Sequence, residues 1–116
     1  MRKKQRGRKF HREKDQRKAL LKSLSQSLVL QGKITTTLAK AKEAAIYLEK
    51  KITYAKKGDL ASRRMLSRYF TKKAVDKLIS EIGPSFKSRN GGYTRVMKLG
   101  PRKSSAAQMA ILELVK

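Results

Sequence analysis

Acid–base or metal chemistry would have to come from nine side chains: Glu13, Asp15, Glu43, Glu49, Asp59, Asp76, Glu81, Glu113 and the single histidine, His11. They are scattered along the chain and form no paired-carboxylate, metal-cluster or nucleophile–base spacing. Cysteine is absent, which excludes a thiolate nucleophile, a disulfide scaffold and a cysteine-based metal site. No glycine-rich phosphate loop precedes a helix. The expectation is a protein that is not an enzyme, with no catalytic residues, no cofactor, no metal and no small-molecule substrate. The basic side chains are better organised. Lys and Arg number 31 against 8 acids, a formal charge of +23 on 116 residues. Such a chain repels itself in isolation and is better neutralised on the phosphates of a nucleic acid.

The cations fall into clusters. The first is an N-terminal arm with Arg2, Lys3, Lys4, Arg6, Arg8, Lys9, Arg12, Lys14, Arg17 and Lys18. Residues 1–14 hold too few apolar groups to offset their ordering entropy. They should be a flexible arm, disordered in the free protein and ordered on its partner. His11 in that setting is expected to meet a phosphate or a base rather than a metal. The second cluster is a loop, with Lys87, Arg89 and Asn90 ahead of Gly91, Gly92 and Arg95. Asn-Gly tolerates positive φ, and two glycines let backbone amides approach a phosphate closely. The third is a turn carrying Arg102 and Lys103. Phe86 and Tyr93 flank the loop. Phe86 is balanced between a stacking contact with nucleic acid and a place in the core, and Tyr93 is expected at the core or its rim with its hydroxyl outward.

These loops need a frame, expected in residues 15–116 as one globular domain. Residues 16–31 predict a helix. Ala19, Leu20, Leu24, Ser27 and Leu28 share a face with Leu21 beside them, Asp15 is the cap and Gly32 the stop. Ile34 and three β-branched threonines predict a short strand at Lys33–Thr36. Thr36 or Thr37 then caps the longest helix. Its apolar stripe is Leu38, Ala41, Ala45, Leu48, Ile52 and Ala55, with Lys40, Lys42, Glu43, Glu49, Lys50 and Lys51 opposite. Leu48 and Ile52 should face the sheet. Gly58 ends this helix and Asp59 caps a third, with Leu60, Met65, Leu66, Tyr69 and Phe70 as apolar positions. Thr71 caps a short fourth, striped by Ala74, Val75, Leu78, Ile79 and Ile82 and closed by Gly83-Pro84. Residues 85–92 read as loop. Tyr93–Leu99 and Met109–Val115 read as strands that pair as an antiparallel hairpin. The fold class is α+β: about four helices on one face of a small sheet, made of the C-terminal hairpin plus the early strand.

No apolar run approaches the ~20 residues that span a membrane, and no h-region follows the basic N-terminus. Residues 1–18 also lack the apolar face of an interfacial or targeting helix, so no membrane partner is expected. Charge alone would also suit an architectural DNA-binding protein, although no helix-turn-helix or zinc-finger spacing supports one.

Three motifs are more specific: Ile34-x-Thr36-Thr37-x-x-Lys40-Ala41-Lys42-Glu43, Arg89-Asn90-Gly91-Gly92-Tyr93-Thr94-Arg95 and Lys98-Leu99-Gly100-Pro101-Arg102. In order and spacing, residues 16–115 resemble the bacterial large-subunit ribosomal protein number seventeen family. The resemblance implies a cytoplasmic structural protein of the bacterial ribosome. It implies binding to large-subunit rRNA near the peptide exit, beside neighbouring large-subunit ribosomal proteins. It implies RNA contacts by the arm and by the loops around the Asn-Gly-Gly turn, and Lys40 within the shared motif joins these candidates. The chain departs from the family at Arg12-Glu13-Lys14-Asp15-Gln16, where a Ser/Thr-rich stretch with histidine is usual.

Overall fold

A computed structural model describes residues 13–103 and 106–115. The arm's Arg2 to Arg12 lie outside the described residues. Helix α1 runs Lys14–Gln31, strand β1 Lys33–Thr37, helix α2 Leu38–Lys57 and helix α3 Leu60–Leu66. A fourth helix, α4, begins at Lys72–Lys77 and continues through a π-turn at Leu78–Ile82 into a last turn at Gly83–Ser85. Strands β2 (Thr94–Pro101) and β3 (Gln108–Leu114) follow. The fold is α+β, with the three strands antiparallel in the order β1-β3-β2. The early strand does join the hairpin, on the far side of β3.

Alternation along the strands sorts the two sheet faces. Ile34, Leu112 and Val96 lie in one row across the sheet and pack into the core beneath the helices. The next row over, on the opposite face, is Lys33, Glu113 and Arg95, followed by Thr35, Ile111 and Met97. Among the described residues no helix lies over that outer face, and Met97 and the bulge-side Leu99 are 38% and 54% exposed. On the covered side, α2 is the centre of the core. Ala41, Ala44, Leu48, Ile52 and Ala55 are fully buried. Thr37 caps α2, its hydroxyl accepting from the Lys40 backbone N–H at 3.4 Å. Gly32 and Gly58 end α1 and α2 in left-handed conformations.

Several sequence expectations change. The buried face of α1 is Leu21, Ser25, Leu28 and Val29, while Ala19 is exposed. Ala19 lies two residues from Leu21, about 200° around the helix, so it cannot share that face. Asp15 sits inside the first turn, and Glu13 occupies the cap position without a side-chain bond. Leu60 is 62% exposed. The buried positions of α3 are Ser62 and Leu66, with Phe70 buried in the turn beyond it, and Leu60 is again about 200° from Ser62. Thr71 takes the cap position of α4, but its hydroxyl makes no cap bond. Its N–H donates to the Gln26 side chain at 2.9 Å, tying α4 to α1. Glu43, expected on the solvent face of α2, is 7% exposed because α1 covers that flank.

Gly83-Pro84 does not close the fourth helix. Proline lacks an N–H, and in an α-helix its ring meets the carbonyl four residues back, here that of Ser80. The π-turn changes the bonding: the Gly83 N–H donates to the Leu78 carbonyl, five residues back. The widened turn admits Pro84 and carries the chain one turn further. Gly83 is also where this helix crosses the end of α2. A Cβ there would lie 2.6 Å from the Ala55 carbonyl oxygen, so only glycine permits the approach.

Two substitutions test this core. Leu48→Ala, at a fully buried site, should cost about 2–5 kcal/mol in denaturant unfolding. Gly83→Ala should cost about 1–3 kcal/mol by overpacking the crossing. A denaturation midpoint unchanged by Gly83→Ala would show that the two helices do not meet as closely as described.

Candidate nucleic-acid interface

The loop after the fourth helix is assembled by local bonds. The Phe86 N–H donates to the Gly83 carbonyl at 3.1 Å and the Arg89 N–H to the Phe86 carbonyl at 2.9 Å. Phe86 and Tyr93 are 4% and 3% exposed, with ring centroids 5.1 Å apart. That places Phe86 in the core and excludes it from stacking on a base. Tyr93 is likewise core, and its hydroxyl reaches the rim, where the Lys56 ammonium donates to it at 3.0 Å. The same ammonium donates to the Arg89 carbonyl and lies 5.2 Å from the Tyr93 ring centroid. Lys56, at the end of α2, therefore pins the loop at both flanks. Gly91 and Gly92 have φ of +133° and +63°, and among the described residues no atom beyond their chain neighbours lies within 4 Å of where their Cβ atoms would be. Their conformation demands glycine, and the space over them is open to an approaching phosphate. Lys87, Arg89 and Asn90 are exposed around this opening.

The turn with Arg102 and Lys103 lies at the other end of β2. It is closed by the Arg102 N–H donating to the Ala107 carbonyl at 2.7 Å and the Ala106 N–H to the Arg102 carbonyl at 2.9 Å. The Arg102 guanidinium reaches the Met109 sulfur at 3.3 Å, and Lys103 is exposed. A shallow cleft joins this turn to the start of α2, lined by Thr37, Leu38, Lys42 and Gln108 among others. Lys42 is thus brought near the turn, and Lys40 is half-buried one step along the same helix start. The eight residues of β2 separate the two basic loops by about 25 Å. The fold does not merge them into one patch.

Other expected contacts are engaged within the protein. The Arg17 guanidinium lies 3.7 Å from the Glu43 carboxylate and links α1 to α2. Arg95 donates through Nε and its terminal nitrogen to Glu113 across the strand pair. Lys18 is exposed. Glu43, Glu49, Asp59, Asp76 and Glu113 have structural partners. Asp76 pairs with Arg63, linking α4 to α3. Glu49 accepts from the Thr94 hydroxyl at 2.6 Å. Asp59 caps α3: the Ser62 N–H donates to its carboxylate at 2.8 Å and holds its pKa below the usual aspartate value. These five carboxylates are absorbed in structural contacts, while Lys87, Arg89 and Lys103 stand exposed on the loops.

The sequence reading missed a set of lysines held against tyrosine rings. The Lys51 ammonium lies 4.7 Å from the Tyr47 centroid and 4.0 Å from that of Tyr69, and these two rings meet edge to face at 6.3 Å. Burial, with help from Lys50, pushes the Lys51 ammonium below the ordinary lysine value. Burial, with help from Tyr69, pushes the Tyr47 hydroxyl up. The Tyr47–Lys51 spacing of four residues on α2 was a visible signal. Tyr69 comes from beyond α3 and could not be placed without the fold.

Known proteins resemble this chain over most of its length. The family model for ribosomal protein L17 matches residues 20–115. The chain is 56% identical over 109 residues to large ribosomal subunit protein bL17 of Natranaerobius thermophilus, covering 93% of this chain and 96% of that protein. It is 48% identical over 127 residues to the bL17 protein of Oenococcus oeni, covering 93% and 97%. It is 50% identical over 102 residues to that of Clostridium novyi, covering 87% and 90%. With the family pattern spanning the chain from α1 to β3 and relatives aligned over nearly their whole lengths, the chain belongs to the ribosomal protein L17 family.

Proposed function

We propose that this protein is a structural constituent of the large ribosomal subunit in the bacterial cytoplasm. It binds large-subunit rRNA beside neighbouring ribosomal proteins and stabilises the RNA fold near the peptide exit. Its relatives are large-subunit proteins by name. The observation that carries the RNA-binding part is the loop Lys87–Gly92, whose exposed cations and open glycine backbone are pinned by Lys56. Rigid loops of this kind present a fixed surface to the shape of a folded RNA. The turn at Arg102 and Lys103 supplies a second contact about a strand length away, so the protein bridges separate RNA segments. The N-terminal arm adds charge. The alternative, an architectural DNA-binding protein, rests on net charge alone. Stoichiometric co-sedimentation with large subunits in high-magnesium buffer separates the two, since the alternative requires none.

The division of binding between arm and domain is open to measurement. Helix α1 begins at Lys14, so residues 2–12 can be removed without cutting into it. That segment holds seven cations: Arg2, Lys3, Lys4, Arg6, Arg8, Lys9 and Arg12. If about half reach phosphates, the slope of log K against log salt should flatten by about 2–3 units, at roughly 0.7–0.9 per phosphate. The remaining domain should keep a smaller slope and its preference for an rRNA fragment over an unrelated duplex. A salt titration of both forms against both RNAs checks this. An unchanged slope, or lost discrimination with retained affinity, would reverse the roles assigned to arm and loops.

A further inference from the structure

Where the chain turns from α3 into the fourth helix, the exposed residues of 64–73 are Arg64, Ser67, Arg68, Thr71, Lys72 and Lys73. Each carries a guanidinium, an ammonium or a hydroxyl. Among the described residues none of the four cations is in an ion pair, and the nearby acid, Asp76, is taken by Arg63. The corner is braced from within. Phe70 is buried in the core, the Thr71 N–H is held by the Gln26 side chain of α1 at 2.9 Å, and the Arg63–Asp76 pair ties the two helices. The Tyr69 ring lies against Lys51 and Tyr47. Local preference argues against cations at both sides of this turn. Arg64 and Arg68 are spaced four apart as α3 runs out, which sets like charges side by side. Lys72 and Lys73 open the fourth helix, whose first turn holds no acid, and the helix dipole disfavours positive charge there.

We infer that this corner is a third RNA contact, which grips the sugar–phosphate backbone of an RNA helix and reads no bases. The inference rests on the rRNA-binding reading above and deepens it with a surface that reading does not use. Arg, Lys, Ser and Thr are side chains that bond phosphate oxygens, and here they are the whole exposed set. Single strands and unstacked bases are held on aromatic rings. The corner offers none, because Phe70 is in the core and Tyr69 is engaged with Lys51. A paired RNA helix keeps its bases stacked inside and presents phosphates, which suits this surface. The polyanion relieves the repulsion that the free protein carries here. Bracing by Phe70, Gln26 and the Arg63–Asp76 pair leaves little backbone to order on binding. The fourth helix, residues 72–85, sets the corner about 20 Å from the loop that follows it. Corner and loop therefore reach separate parts of the RNA.

A full-length variant carrying Arg64→Gln, Arg68→Gln, Lys72→Gln and Lys73→Gln tests this. If three of the four cations reach phosphates, the slope of log K against log salt should flatten by about 2–3 units, at roughly 0.7–0.9 per phosphate. Affinity should fall by the same factor for an rRNA fragment and for an unrelated RNA duplex, so that their ratio is kept. A changed ratio would mean that the corner reads bases, and an unchanged slope that it touches no phosphate. The control is Lys33→Gln with Lys98→Gln, at exposed lysines of the sheet, which should flatten the slope less per charge removed. An equal loss per charge would mean that the slope follows net charge only. The thermal midpoint of the free corner variant should stay or rise, since like charges have been removed. A lower midpoint would mean that the cations serve the fold. In reconstituted large subunits, Ser67→p-benzoylphenylalanine, at an exposed position of the corner, should crosslink to rRNA. A crosslink to a ribosomal protein, or none, would point away from RNA. Each of these contrary results would overturn the corner contact, while co-sedimentation of the unmodified protein with large subunits kept the rRNA-binding reading intact. Failure of the unmodified protein to co-sediment would overturn both.

Discussion

Burial of α2 is the constraint on which the other elements depend. Its stripe of Ala41, Ala44, Leu48, Ile52 and Ala55 is enclosed by α1, by the fourth helix and by the inner face of the sheet. Burying a leucine or isoleucine side chain contributes about 1.5–3 kcal/mol. The alanines contribute differently, by letting neighbouring backbones approach. At Ala55 the approach is closest, because Gly83 passes against its carbonyl. That crossing sets where the fourth helix ends and hence where the loop of Lys87 to Gly92 begins. A packing contact in the core thus positions the cationic loop on the surface.

Electrostatics acts against this core. A formal charge of +23 favours expansion, and the few acids are placed where they join elements. Glu43 faces Arg17 between α1 and α2, Asp76 faces Arg63 between α4 and α3, and Glu113 faces Arg95 across the strand pair. An exposed pair such as Asp76–Arg63 contributes little individually, about 0–1 kcal/mol. The pairs' collective effect is to spend negative charge inside the tertiary contacts. Some lysines are accommodated another way, over the faces of tyrosines, as with Lys51 and Lys56. Cation–π contact holds an ammonium without requiring an acid. What remains outward is predominantly cationic, as the proposed RNA-binding role requires.

The helices cover one face of the sheet and leave the other with Lys33, Arg95, Met97 and Leu99 toward the outside. The protein therefore offers several unlike surfaces: two basic loops at the ends of β2, an open sheet face and the cationic corner between α3 and the fourth helix. The proposed place among RNA segments and other ribosomal proteins would use several of these surfaces at once.

Local chemistry alone determined much of this. The β-branched run before Leu38, the stops at Gly32 and Gly58, the cap at Asp59 and the hairpin strands all follow from preferences that act within a few residues. So did the α+β class, and the motifs around Arg89–Arg95 carried the family. Residue-level burial was less legible. Periodicity shows that a helix has an apolar face, but α1 turned out to bury Leu21 and Ser25 while exposing Ala19, because the position of its neighbour chooses among adjacent faces. Only the tertiary structure could enclose Glu43, since that required Arg17 to arrive from another helix. Only it could assign Phe86 to the core, by bringing Tyr93 against it. The π-turn before Pro84 was hidden for a similar reason: proline's local rule ends a helix, and packing of Gly83 on Ala55 gave the chain cause to continue.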